Sequence, residues 1–267
     1  MYREAVARRA NPCHHVGMEL LVTGIGDAFS ARWYGSSGLL RSSDGLVAID
    51  CPGSVLNMYR QAAESSGWSI DAVDVSDILL THLHGDHSDG LETLGFLNRY
   101  RRTPARRPRL HALPEVLDRT WEKLAPAMDG RTRQVDAAAS SLEDYFECCP
   151  MEPGRTTTIG NLTVKCHRTV HSLPCMALRI TDGTSTLGWS GDTEFDPELV
   201  QWLLQADVVV HECGELFKHT RLAELVTLEP EAQQRIRLIH LPDGFQIPTG
   251  DLAPLRQGEV VSIDAAG

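Results

Sequence analysis

The segment "THLHGDHSDG", residues 81–90, places three histidines and two aspartates within ten positions of a chain that holds 11 histidines in all. Imidazole nitrogens and carboxylate oxygens are good ligands for borderline divalent metals. His82 and His84 are two residues apart, so on extended backbone both point to one side and can grip one ion. Gly85 lets the chain turn sharply. Asp86 and His87 then point elsewhere and can reach a second ion. The competing reading is a solvated loop whose rings hold no metal.

A site for two ions needs further donors, one of them a bridging carboxylate. Donors recur where apolar runs stop: His171 in "TVHSLP", Asp192 in "WSGDT", His211 in "VVVHEC" and His240 in "LIHLPD". Plainer roles compete for each. Asp192 can cap a turn, His240 can sit in a core, and His167 competes with His171.

The elements around these donors follow from periodicity and turn signals. Apolar runs predict strands at 18–26, 75–84, 107–113, 159–171, 175–183, 185–192, 207–213 and 235–241. A hairpin around Asp44-Gly45 joins 35–43 to 45–53. Helices are predicted at 55–67, 90–102, 114–128 with Pro114 at its start, 196–206 with Asp196 as its cap, and about 220–227. Asp89 reads as the N-cap of the helix beginning at Gly90. The segment 129–150 reads as mixed loop and strand, and the tail 242–267 ends weakly. Strands come first in hairpins and later alternate with helices, and no linker or repeat interrupts them. One α/β domain over 18–267 is the economical organisation, with 1–17 a short leader.

Composition narrows the function classes. Of 267 residues, 42% are hydrophobic, enough for a sizeable core, and the formal net charge of -11 argues against nucleic acid or an anionic membrane as partner. No apolar run approaches the ~20 residues of a membrane span. Seven cysteines, an odd number without a CxxC pair, fit reduced thiols in a cytoplasm.

The ordered series His82, His84, Asp86, His87, His171, Asp192 and His240 resembles the ligand set of the metallo-β-lactamase fold superfamily, over roughly residues 18–245. The resemblance implies an αββα sandwich of two mixed β-sheets flanked by helices, with the site at one sheet edge. It assigns His82, His84 and His171 to a first metal and Asp86, His87 and His240 to a second, with Asp192 bridging. Two divalent ions, zinc above all with manganese or iron as alternatives, would activate a bridging hydroxide. In such folds Asp50, ending "LVAID", orients a ligand histidine; turning the chain before Pro52-Gly53 is its plainer role. The loop after the first strand borders the metals, which makes Trp33 and Tyr34 candidates for substrate contact.

The opening "VTGIGDAFSARWYGSSGLLRSSDGLVAIDCPG" and "ADVVVHECG" look like the ribonuclease Z-like branch. There a glutamate pairs with a later histidine to protonate the leaving oxygen. Here the pair would be Glu212 and His219, separated by only six residues, a tighter interval than in that branch. Asp86 joins them as a catalytic candidate, and His211 is a candidate for supporting the site from behind. No Gly/Pro-rich arm that could recruit tRNA lies between His171 and His240. The resemblance therefore implies a dinuclear hydrolase of a small molecule, with a phosphodiester favoured. Carboxylic esters, sulfate esters and lactones are alternatives on the same site. A diiron redox enzyme and a non-catalytic metabolite-binding protein are further ones. A homodimer is compatible with the chain. The run of arginines from Arg99 to Arg109 is either an anion- or partner-binding patch or a solvated loop.

Overall fold

The computed structural model describes residues 17–101, 106–130, 140–246 and 250–264. All but Gly17 of the leader expected at 1–17 lies outside them, as does Arg102. The strands are β1 (Met18–Gly24), β2 (Ser37–Ser42), β3 (Gly45–Ile49), β4 (Val75–Leu79), β5 (Arg109–Ala112), β6 (Glu147–Pro150), β7 (Thr156–Ile159), β8 (Leu162–Arg168), β9 (Met176–Thr181), β10 (Thr186–Trp189), β11 (Val208–Glu212), β12 (Ile236–Ile239), β13 (Ala253–Pro254) and β14 (Val260–Ile263). The helices are α1 (Val55–Ser66), α2 (Gly85–Ser88), α3 (Leu91–Tyr100), α4 (Pro114–Met128), α5 (Pro197–Leu203), α6 (Leu222–Leu225) and α7 (Pro230–Arg235).

Two seven-stranded sheets result, ordered β14-β1-β2-β3-β4-β5-β6 and β13-β12-β11-β10-β9-β8-β7. Each runs from antiparallel hairpins into parallel strands. In the first sheet the change comes at β3 and β4, and in the second at β10 and β11. This is the mixed-sheet sandwich of the metallo-β-lactamase fold. Alternation decides which side chains face which layer. On β11, Val208 and Val210 turn to the larger core, while Val209 joins Leu199 and Leu203 of α5. On β8, buried Leu162, Val164 and Cys166 alternate with partly or fully exposed Thr163, Lys165 and His167.

The turns at Asp44-Gly45, Gly160-Asn161 and Asp182-Gly183 close hairpins as expected. Asp196 caps α5, accepting from the backbone N–H of Glu198 and Leu199. Three expectations need correction. Asp89 does not cap the next helix: it ends α2, and its carboxylate meets Lys123 Nζ at 2.8 Å. That lysine also donates to Leu83 O and Ser88 Oγ, so α4 clasps the donor segment from behind. The helix expected near 220–227 is a single turn, α6, and a second short helix, α7, follows it with Pro230 as its first residue. The tail is not featureless, because β14 pairs antiparallel with β1 and extends its sheet. Four residues at a sheet edge give too short a pattern to announce this.

The arginine run does not form one patch. Arg109 turns inward to Asp77 and Asp44, Arg99 lies over the Tyr145 ring, and Arg107 donates to Glu143 O. Arg101 and Arg106 are exposed. Among the described residues no helix is long and apolar enough to cross a membrane, and the six described cysteines are unpaired.

Asp77 is fully buried within β4 and accepts from Arg109, from His111 Nε2 at 2.7 Å and from Ser76 Oγ at 2.7 Å. Arg109 and His111 are two apart on β5, so both reach it from one face. Burial alone would raise this carboxyl, but the hydrogen bonds outweigh it and hold it well below the usual carboxylate range. A depressed carboxyl stabilises the fold above its unfolded pKa of about 3.9 and loses that contribution as the pH falls. Asp77→Asn is therefore expected to cost about 3 kcal/mol in urea unfolding at pH 7. Its difference from the wild type should shrink below about pH 4.

Candidate metal centre

The donors arrive on loops that leave the strand ends. The β4 ladder stops at Leu79, short of the strand end expected at His84, yet His84 keeps an extended backbone. His82 Nε2 and His84 Nδ1 consequently lie 3.0 Å apart. His171 Nε2 lies 3.1 Å from His84 Nδ1, and Asp192 Oδ2 lies 3.5 Å from His82 Nε2 and 3.7 Å from His171 Nε2. These four residues make one donor group. Asp86, His87 and His240 make another, with Asp86 Oδ2 at 3.3 Å from His87 Nε2 and 3.2 Å from His240 Nε2. Asp192 Oδ1 approaches His87 Nε2 at 3.3 Å, so this one carboxylate faces both groups. His167 lies on β8, bonded to Arg168 O and packed near Trp202, apart from these groups.

Asp50 and His240 adopt positive φ, 60° and 61°, which non-glycine residues seldom do. Both follow directly on strands, and the turn aims them at the centre. Gly191 (φ 59°) precedes Asp192, and a Cβ there would meet Met176 O at 2.6 Å. Only glycine allows that approach.

Supporting hydrogen bonds fix which nitrogen His82, His87 and His171 present. His87 donates from Nδ1 to Asp50 Oδ2 at 2.8 Å, leaving Nε2 for a ligand. Asp50 also accepts from Thr81, through its backbone N–H at 2.7 Å and its hydroxyl at 2.9 Å. Thr81 Oγ1 in turn lies 3.0 Å from His82 Nδ1, which donates to it and leaves Nε2 free. One buried carboxylate thus sets a ring in each donor group, directly in one and through Thr81 in the other. His171 donates from Nδ1 to Lys218 O at 3.2 Å.

Electrostatics divide the rings. Burial lowers His82 and His84, and takes His171 down to about 4, so these rings are neutral and keep a lone pair for a cation. Burial would also lower His87 and His240, but Asp192 and the other carboxylates beside them override it and raise both. Asp86 and Asp192 would be raised by burial, yet the surrounding histidines hold both well below the carboxylate range. Cations placed between these groups would take over the neutralising role of protons.

A divalent pair fits the residues. The donors are nitrogen and oxygen only, and outer hydrogen bonds set the inward nitrogens of His82, His87 and His171. His87 Nε2 is also a buried ring atom with no hydrogen-bond partner. His82, His84 and His171 would hold one ion, Asp86, His87 and His240 the other, and Asp192 both.

Beside this centre, His219 Nδ1 lies 3.0 Å from Glu212 Oε2 and 4.0 Å from Asp192 Oδ2. Glu212 is buried and also accepts from Thr193 N at 2.6 Å. The short interval between Glu212 and His219 works because Gly214 N bonds Thr220 O at 2.9 Å, folding the intervening residues into a closed loop. Two other candidates stand elsewhere. His211 does not support the centre: strand alternation turns it to the face opposite Glu212, and it donates to the Glu212 carbonyl. Tyr34 packs against the core rather than lining the site. Trp33 does line it. A cavity of about 570 Å³ opens over the centre, its floor including His84, Asp86, Asp192 and His240 and its rim Phe29 and Leu216. Sequence reasoning missed Thr81 and both rim residues. Thr81 is adjacent to His82, but a threonine beside a ligand carries no signal without its partner Asp50, 31 residues away.

Asp50→Ala should weaken binding of both ions by about 10–100-fold, whereas Thr81→Val should weaken mainly the ion held by His82. Chelator competition followed for each ion separately measures this. Equal effects of the two variants on the two ions would refute the link through Thr81.

The model of the Anti-Pycsar protein Apyc1 family matches residues 18–258. The Anti-Pycsar protein Apyc1 of Paenibacillus sp. (strain J14) is 30% identical over 260 residues, which is 93% of this chain and 100% of that relative. The protein of the same name from Bacillus phage 010DV004 is 30% identical over 244 residues, covering 86% and 91%. Among solved structures, the metallo-beta-lactamase fold protein YhfI from Bacillus subtilis superposes with a TM-score of 0.71 at 19% identity, covering 92% of this chain and 99% of that one. Family, fold and donor set together support a metal-dependent hydrolase. The chain belongs to the Anti-Pycsar protein Apyc1 family and has the metallo-β-lactamase fold.

Proposed function

We propose that the chain hydrolyses a phosphodiester in a small molecule of about nucleotide size. The observation that carries this reading is one carboxylate, Asp192, facing two donor groups in a cavity that His219 also lines, with Glu212 buried behind that ring. Two divalent ions, when bound there, would activate water and neutralise charge on the phosphoryl oxygens. The protein's own residues do the rest. Asp192 sets the spacing of the two donor groups. The Glu212 carboxylate accepts from His219 Nδ1 and so turns Nε2 toward a substrate oxygen, from which a proton can pass to the leaving group. Burial and then the nearby Asp192 raise the Glu212 carboxyl. The family assignment supports the same reading, as does a cavity volume that suits a nucleotide but not a folded RNA.

Protein loaded with zinc, manganese or iron should hydrolyse bis(p-nitrophenyl) phosphate or a 3′,5′-cyclic nucleotide. It should leave p-nitrophenyl sulfate and simple lactones nearly untouched. Chelation should abolish turnover, and His84→Ala should lower kcat by at least about 100-fold while leaving the circular dichroism spectrum intact. Turnover that survives both treatments would refute the reading. His219→Ala should cost about 10²–10⁴ in kcat with an alkoxide leaving group, and far less with p-nitrophenolate, which leaves without a proton.

A further inference from the structure

Beside the cavity over the metal centre lies a second one, and Trp33 is a wall of both. The second cavity measures about 550 Å³, within the roughly 300–1,000 Å³ of small-molecule sites. Its apolar walls include Ile25, Leu241 and Leu255, all buried, and the half-buried Phe245. Backbone hydrogen bonds fix these walls: Leu241 N donates to Ile25 O at 2.8 Å, and Leu255 N to Leu238 O at 2.9 Å. No donor residue of the metal centre borders this cavity. Two exposed guanidiniums, Arg32 and Arg256, stand at its edge, and neither borders the cavity over the metals. Arg32 lies over the Trp33 ring, 5.1 Å from its centre. Among the described residues no carboxylate comes within ion-pair distance of either guanidinium. The nearby acids are engaged elsewhere. Asp243 accepts from Ser30 Oγ and Ala31 N, and Glu259 accepts from the backbone N–H of Arg256.

We infer that this second cavity is an effector site for an amphipathic anion, an apolar body carrying one acidic group, separate from the substrate. The walls take the body and the two guanidiniums take the acid. Apolar burial supplies affinity, and the guanidiniums, planar and always charged, fix orientation. A small inorganic anion would leave the apolar walls unused, and a neutral or cationic amphiphile would leave both arginines unanswered. The indole of Trp33 couples this site to the metal cavity. A ligand packed on one side of the ring limits where the ring can move for a ligand on the other. Occupancy of the two cavities is therefore antagonistic, and to the same degree in both directions.

Calorimetry on zinc-loaded protein with 1-decanesulfonate tests the site, a sulfonate being a poor metal ligand. Decanol and decyltrimethylammonium are the controls. The sulfonate should bind about tenfold more tightly than either. The Arg32→Gln, Arg256→Gln double variant should lose about tenfold in affinity for it, as two exposed ion pairs predict, and Arg32→Lys, Arg256→Lys should keep most of it. Absence of binding, equal affinity for decanol, or undiminished binding to the glutamine variant would overturn the site. The coupling rests on the phosphodiester reading above and is measured by turnover of bis(p-nitrophenyl) phosphate. Added sulfonate should raise KM about fivefold to a plateau, with kcat held within about twofold, and the glutamine variant should need about tenfold more sulfonate to reach it. An unchanged KM at saturation would overturn the coupling. A KM that rises without limit would place the sulfonate in the substrate cavity and overturn the whole proposal. Failure of the wild type to turn over any phosphodiester would refute the hydrolase reading instead, and the calorimetry would still decide the site.

Discussion

Charge crowded out of water is the constraint on which this structure depends. Asp50, Asp192 and Glu212 are buried within a few ångströms of buried His82, His87 and His240, and Asp86 is nearly so. Each ionised group taken from water costs several kcal/mol unless it is compensated on the spot. Compensation here is mutual. Every one of these carboxylates faces at least one imidazole, and the inward nitrogens converge on positions that suit cations. An outer layer keeps the arrangement fixed, with Asp50, Thr81 and the Lys218 carbonyl each holding a ring by its far nitrogen. A partly satisfied polar network is worse than an apolar core, so the whole set must form together.

That requirement explains the strained and close-packed backbone around the donors. Asp50 and His240 hold the left-handed conformation because a β-strand turned any other way would aim them elsewhere. Gly35 lies so close to the donor segment that a Cβ would meet Asp86 O at 2.2 Å, and a Cβ on Gly90 would meet Pro52 O at 2.3 Å. The donor segment is therefore wedged between the loops after β1 and β3, while Lys123 of α4 holds its other side. Gly35, Gly90 and Lys123 supply no donor themselves, yet each restricts where the donors stand.

Legibility from sequence follows the range of the interaction. His82, His84, Asp86 and His87 are neighbours in the chain, so their spacing alone suggests a metal. His171, Asp192 and His240 were found because each ends an apolar run, and strands of a sandwich bring such ends together. Asp50 could be placed only by family resemblance, and its second arm through Thr81 needed coordinates. His211 shows the limit of strand-end reasoning: it ends the same run as Glu212, but one residue of strand reverses the face. The loop 29–37 reads as bordering the site, but within it Trp33 and Tyr34 stand out ahead of Phe29, and Leu216 carries no signal, because an apolar residue in a loop reads as a buried one until its exposure is known.

The floor and the rim of the cavity are not independent. Asp243, which fixes the loop bearing Phe29, follows the candidate donor His240 by three residues. The loop bearing Leu216 supplies both the Lys218 carbonyl that orients His171 and the His219 ring that meets Glu212. Moving either loop to admit a different substrate would shift a donor or its support, and an error of about 1 Å in such geometry is costly in rate. Exchanging a rim side chain on a fixed backbone carries no such penalty. The side chains of Phe29 and Leu216 project beyond the hydrogen bonds that hold their loops, so they are freer to change than the backbone beneath them.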